Sequence, residues 1–172
     1  MQSPAGGWLS ISSERGDDWL AEQLENLWED RFQDTPRVNN VEIYFARPWK
    51  TRLGVISLIG NGHQTSIRIN SLLCDSQVPD EICIVTVAHE LVHYAHGFGS
   101  PLPRKFAHPH QGNVVSRELV LRGLSRELQY YRDWIADNWY PFYYSQMGHR
   151  RGRGHLRDVH RQPHARSAAC HT

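Results

Sequence analysis

Between residues 17 and 33 the apolar positions Leu20, Leu24, Leu27, Trp28 and Phe32 recur every three or four residues, with Asp and Glu between them. That is the spacing of one helix face. It predicts an amphipathic helix packed on a sheet, with Asp17 or Asp18 capping its start. Asp34-Thr35-Pro36 breaks the helix. The period then shortens to two. Val41, Ile43 and Phe45 alternate as in a strand. Arg47-Pro48-Trp49-Lys50 turns the chain, and Leu53 to Ile59 reads as a second strand. Gly60-Asn61-Gly62-His63 has the composition of a hairpin turn, and Thr65 to Asn70 reads as a third strand. Three short strands joined by turns predict a small antiparallel sheet.

Ile82, Ile84, Val85, Val87 and Ala88 form an apolar run that opens with Pro79-Asp80-Glu81 and stops at Gly97. These are helix start and stop signals, and they predict a buried helix of about four to five turns. From Gly97 through Pro109 the chain is rich in Gly and Pro and has no period. Long irregular loops in compact domains commonly carry function. Helical spacing returns from Gln111, with Val114, Val115, Leu119, Leu121, Leu124, Leu128, Tyr131, Trp134 and Ile135. This predicts one long helix or two broken at Gly123, ended by Pro141. The expected fold class is therefore α+β: about three strands, an N-terminal helix, a central helix and a long C-terminal helix.

Composition adds the ends. Residues 1–16 are polar and Gly-rich and are expected to be a flexible N-terminal arm. Residues 17–147 are expected to be one domain. Residues 148–172 hold Arg150, Arg151, Arg153, Arg157, Arg161 and Arg166 against a single acid, Asp158, with almost no large apolar side chains. Such a segment cannot offset its ordering entropy and is expected to be a disordered basic tail. It could bind a phosphate backbone non-specifically. The net charge of +1 gives no global field toward nucleic acid or membrane. Cys74, Cys83 and Cys170 show no paired spacing, which argues against a zinc ribbon or a disulfide framework. The chain start lacks the charge and apolar core of a signal peptide, and no apolar run approaches a membrane span, so the expectation is a cytoplasmic protein with no membrane partner.

The chemistry concentrates in His89-Glu90-Leu91-Val92-His93. Residues four apart share a helix face, so His89 and His93 can aim two imidazoles at one metal ion. Glu90 stands beside them as a candidate general base. A catalytic zinc usually has three protein ligands. His96 and Gly99 occupy the positions where a metzincin would need Gly and His. Glu118 and Glu127 are flanked as solvent-facing helix residues are, and His96 lies about 10 Å along the helix from His89. The third ligand is then expected from the loop, at His108 or His110. For a second oxyanion donor, Tyr94 and Tyr130 are candidates. Thr65 to Asn70 is the expected edge strand on which an extended substrate would pair.

Trp19 to Leu124 resembles the SprT-like family of zinc metallopeptidases. The resemblance rests on the acidic amphipathic helix, Arg52-Leu53-Gly54-Val55-Ile56, Ser66-Ile67-Arg68-Ile69-Asn70 with Leu73, the His89–His93 motif, and Pro109-His110-Gln111-Gly112 opening a helix. It implies a compact zincin or minigluzincin-like fold and Zn²⁺ bound by His89, His93 and His110. It also implies a metalloendopeptidase acting on protein or peptide substrates with Glu90 as general base. The chain departs from the family in having Gln111 between His and Gly, Val114 where an aromatic is usual, and no Cys-rich zinc ribbon. The alternative expectation is a zinc-stabilised module that grips DNA or nucleoprotein through the arginine-rich tail with little catalysis.

Overall fold

The computed structural model describes residues 15–158. The expected N-terminal arm, but for its last two residues, and positions 159–172 of the expected tail lie outside the described residues. Four helices surround a three-stranded sheet: α1 (Asp17–Arg31), β1 (Asn40–Phe45), β2 (Gly54–Ile59), β3 (Gln64–Ile69), α2 (Asp80–Ala95), α3 (Val114–Leu121) and α4 (Ser125–Asp158). The protein is thus α+β. Among the described residues, no helix is long and apolar enough to cross a membrane.

The sheet is mixed, not antiparallel as expected. Its order is β1-β3-β2, with β1 parallel to β3 and β2 antiparallel to β3. The hairpin through Gly60–Gly62 forms as expected, using positive φ at Gly60, Asn61 and Gly62. The β1–β2 connection, however, is no tight turn. It spans residues 46–53 and leaves a gap into which β3 returns. β3 is the strand best suited to the centre, because Thr65, Ser66, Ile67 and Ile69 are all buried. Thr65 to Asn70 is therefore not an edge. The edge beside α2 is β2.

α1 packs on β1, while α2 lies against β2 and β3 and is flanked by α3 and α4. The apolar face predicted for α1 is buried through Leu20, Leu24, Leu27 and Trp28. Its cap differs from expectation. Gly16 is the N-cap, and Asp17 instead accepts the Phe45 N–H at 2.7 Å, tying α1 to the end of β1. α2 is buried on nearly all sides, as its apolar run requires. Gly97, at φ +78, ends it, and a Cβ there would stand 2.5 Å from the Pro103 carbonyl oxygen. Loop 97–110 is fastened across that end by Ser100 Oγ donating to Tyr94 O (2.7 Å), Thr65 Oγ1 donating to Gly99 O (2.8 Å) and Lys105 N donating to His96 O (3.1 Å).

Gly123, at φ +79, separates α3 from α4. Pro141 does not end α4, which runs on to Asp158 and so into the segment expected to be disordered. An interior proline costs about 3 kcal/mol. Packing offsets that cost: Trp139 is 3 % exposed, stacks near Phe142 and Tyr143, and donates its indole N–H to Lys50 O at 2.8 Å.

Arg122 closes the domain between α3 and α1. Its guanidinium donates to Arg31 O, to Asp34 and to Glu118, and lies 4.1 Å from the centre of the Phe32 ring. That contact holds the Asp34 carboxyl below the usual carboxylate range. Arg122→Met keeps the stem and loses these donors. The expected cost is about 0.5–1.5 kcal/mol, because Asp34 is mostly solvent-exposed and Glu118 only half-buried. It should appear as a lower urea midpoint at unchanged slope.

Candidate metal centre

His89 and His93 project from the same face of α2, one turn apart. His110 caps the short turn Gln111–Asn113 that leads into α3. The fold brings these three together. Their Nε2 atoms form a near-equilateral triangle, with separations of 3.2 Å for His89–His110, 3.1 Å for His89–His93 and 3.1 Å for His93–His110. His89, His93 and His110 form the group that could hold a metal ion among the described residues. His108, the alternative third ligand, is exposed and stands outside the group.

Hydrogen bonding does not account for the triangle. A neutral imidazole nitrogen is a donor or an acceptor, never both. Of three edges, at most two can join unlike nitrogens, so one edge always sets like against like. A cation at the centre of three lone pairs satisfies all of them. The dimensions fit. Atoms at this spacing lie about 1.8 Å from the triangle's centre, so a point about 2.0–2.1 Å from all three exists, subtending about 100° between neighbours, near the tetrahedral arrangement of zinc with histidine. Burial favours the neutral, ligating form. It pushes His89 down to about 4, with His110 adding to the shift, and His93 down to about 3, with His89, His110 and His96 adding. His93 is held by packing rather than by an outer hydrogen bond: its Nδ1 is buried without a partner, and its ring meets Phe98 edge-on.

Glu90 lies next to the triangle and is 4 % exposed. Burial raises its carboxyl to about 8, opposed by a hydrogen bond to the Ile56 backbone. A cation nearby would act in the opposite direction, favouring the ionised carboxylate. Space for the carboxylate comes from Gly54 at the start of β2. A Cβ on Gly54 would stand 2.5 Å from Glu90 Oε1 and 3.0 Å from Thr86 Cγ2.

The three histidines and Glu90 line one cleft of about 450 Å³, with Arg52, Gly54, Ile56, Phe98 and Tyr131 also on its walls. β2 forms its side. Asn70 N donates to Leu53 O at 2.8 Å. Antiparallel alternation along the β2–β3 register then turns the peptide groups of Gly54, Ile56 and Leu58 toward the open edge. The loop before β2 is set by Asn70, whose amide donates to Trp49 O and Arg52 O at 2.8 Å each.

The remaining candidates have other work. His96 is buried, with Nε2 3.7 Å from Glu118 Oε2 and its ring edge-on to Phe106. It and Glu118 join loop 97–110 to α3. Glu127 stands at a separate hollow between α1 and α2. Tyr94 is in the core, donating to Asn39 at 2.8 Å, and Tyr130 is exposed. The cleft tyrosine is Tyr131, one position further along α4. Cys83 is buried, and burial pushes its thiol up to about 12, which disfavours the nucleophilic thiolate. No protein-family model, no curated protein and no solved structure matches the chain.

Proposed function

We propose that this chain is a zinc-dependent endopeptidase of the SprT-like type. The observation that carries the reading is a buried carboxylate beside three converging imidazoles, in a cleft bordered by an open strand edge. A purely structural metal site has no use for a glutamate in that position, and closed structural zinc sites take four protein ligands rather than three. His89, His93 and His110 would hold the zinc, which when bound supplies Lewis acidity and lowers the pKa of a water in the open position toward about 7.

Glu90 then does the proton work. Its carboxylate accepts a proton from the attacking water as the new C–O bond forms at the scissile carbonyl. It returns that proton to the amide nitrogen as the C–N bond breaks. The Ile56 backbone and the space over Gly54 fix the carboxylate's direction. An extended polypeptide can pair with the outward groups of Gly54 and Leu58 and with the Ile56 carbonyl, the Ile56 N–H being held by Glu90, which lays its backbone along the cleft. Main-chain pairing is indifferent to side chains, so the substrate class expected is unfolded or extended polypeptide.

The test is digestion of reduced, alkylated casein by the zinc-loaded chain and by Glu90→Gln. The variant should keep one zinc per chain and lose roughly 10²–10⁴-fold in rate, the usual share of a general base. Cleavage by Glu90→Gln at the parent rate, with zinc retained, rules the mechanism out.

A further inference from the structure

Proton transfer by Glu90 leaves the negative charge that builds on the carbonyl oxygen without a hydrogen-bond donor from the protein. The histidine Nε2 atoms would be taken up by the metal, and Glu90 is occupied with the water's proton. Two polar residues on the cleft, Thr51 and Arg52, sit exposed at its rim. Thr86, one turn before Glu90 on α2, has already committed its hydroxyl proton to Ile82 O at 2.7 Å. One side-chain donor remains on the inner wall: the phenol of Tyr131, brought in by α4 against α2.

The surroundings of Tyr131 suit such a role. Its ring is part-buried and packed on the core, which limits its motion to the hydroxyl end. Thr86 of α2 lines the same wall. Burial holds the phenol's pKa above its usual value, with Thr86 opposing, so it keeps its proton at neutral pH.

We propose that Tyr131 is the protein's oxyanion donor: its O–H, on the cleft wall, donates to the scissile carbonyl oxygen as that oxygen gains the electron pair of the C=O bond. No proton is transferred. The bond exists only while the carbon is tetrahedral, so it lowers the barrier without tightening substrate binding. The inference rests on the peptidase reading.

Tyr131→Phe removes one oxygen and keeps the ring, so folding and zinc content should match the parent. With casein as substrate, kcat is expected to fall roughly 10²–10³-fold with KM little changed, as for loss of one oxyanion donor elsewhere. A second readout avoids turnover. A phosphinic peptide built on a cleavage sequence from the casein digest, tetrahedral and anionic, should bind the variant more weakly by a similar factor. The cleaved product peptide should bind both chains alike. Equal weakening of both ligands, or a kcat and a phosphinic affinity within twofold of the parent, overturns the assignment. If the parent cleaves, Glu90→Gln does not, and Tyr131→Phe is unaltered, only Tyr131 loses its role. If the zinc-loaded parent cleaves nothing, the peptidase reading falls and takes the Tyr131 assignment with it.

Discussion

Substituting His110 with alanine is expected to strip zinc from the metal-loaded chain, while His108→Ala keeps it. The two remaining donors, His89 and His93, share a helix turn with Nε2 atoms 3.1 Å apart. Two imidazoles cannot enclose a metal, and the vacated corner opens to water. Loss of an outer-shell partner alone costs metal affinity about 10–100-fold. Loss of a direct ligand costs more, enough for release to a competing chelator. His110 is exposed and lies on a loop, so its removal leaves the apolar core intact. The other two ligands make less clean tests, because His93 is 5 % exposed in the body of the domain. The measurement is elemental zinc per chain after dialysis against a chelator, with circular dichroism to show that the fold persists. One zinc per chain in His110→Ala would break the three-histidine site, and the role of Glu90 would lose its geometric basis.

How much of this is legible in the sequence depends on the range of the interaction. α2 is legible because its signals are local: acids in the first turn, an apolar run, Gly97 as the stop and a four-residue histidine spacing. The β2–β3 hairpin is legible for the same reason, through Gly60, Asn61 and Gly62. The sheet order is not. Period-two alternation identifies strands but carries no record of which strand lies between which, so β3 passed for an edge when it is the centre. Pro141 misleads because the local cost of proline is set against aromatic packing around Trp139, which only the tertiary structure contains. Tyr131 is missed in favour of Tyr94 and Tyr130 because neighbours on a helix point about 100° apart. Which of them meets the cleft depends on how α4 is rotated against α2. His110 and His108 are separated only by the path of loop 97–110, which the contacts of Gly97, Gly99 and Ser100 determine.

Gly54→Ala is expected to abolish cleavage although the residue has no functional group. Glycine is disfavoured in strands unless something must come close, and here the neighbour is Glu90, the proposed general base. The added methyl carbon would sit 2.5 Å from Glu90 Oε1 and 3.0 Å from both Glu90 Cγ and Thr86 Cγ2. The backbone at Gly54 does not have a positive φ, so the substitution is refused by space and not by conformation. β2 cannot retreat without breaking its register with β3, and α2 cannot retreat because it is buried on nearly all sides. The carboxylate is the movable part, and it must leave its bond to the Ile56 backbone. Cleavage should then fall by the roughly 10²–10⁴-fold attributed to the general base. Overpacking adds about 1–3 kcal/mol of destabilisation, visible as a lower urea midpoint. Zinc should stay, since the imidazoles are not displaced. Combining Gly54→Ala with Glu90→Gln separates this account from a general disturbance of the site. Two substitutions acting through one carboxylate should give no more loss in rate together than Glu90→Gln gives alone. Losses that multiply would mean that Gly54 acts by another route, such as the substrate-pairing edge of β2. A Gly54→Ala chain that cleaves at the parent rate would mean that Glu90 does not work from the position in which β2 holds it.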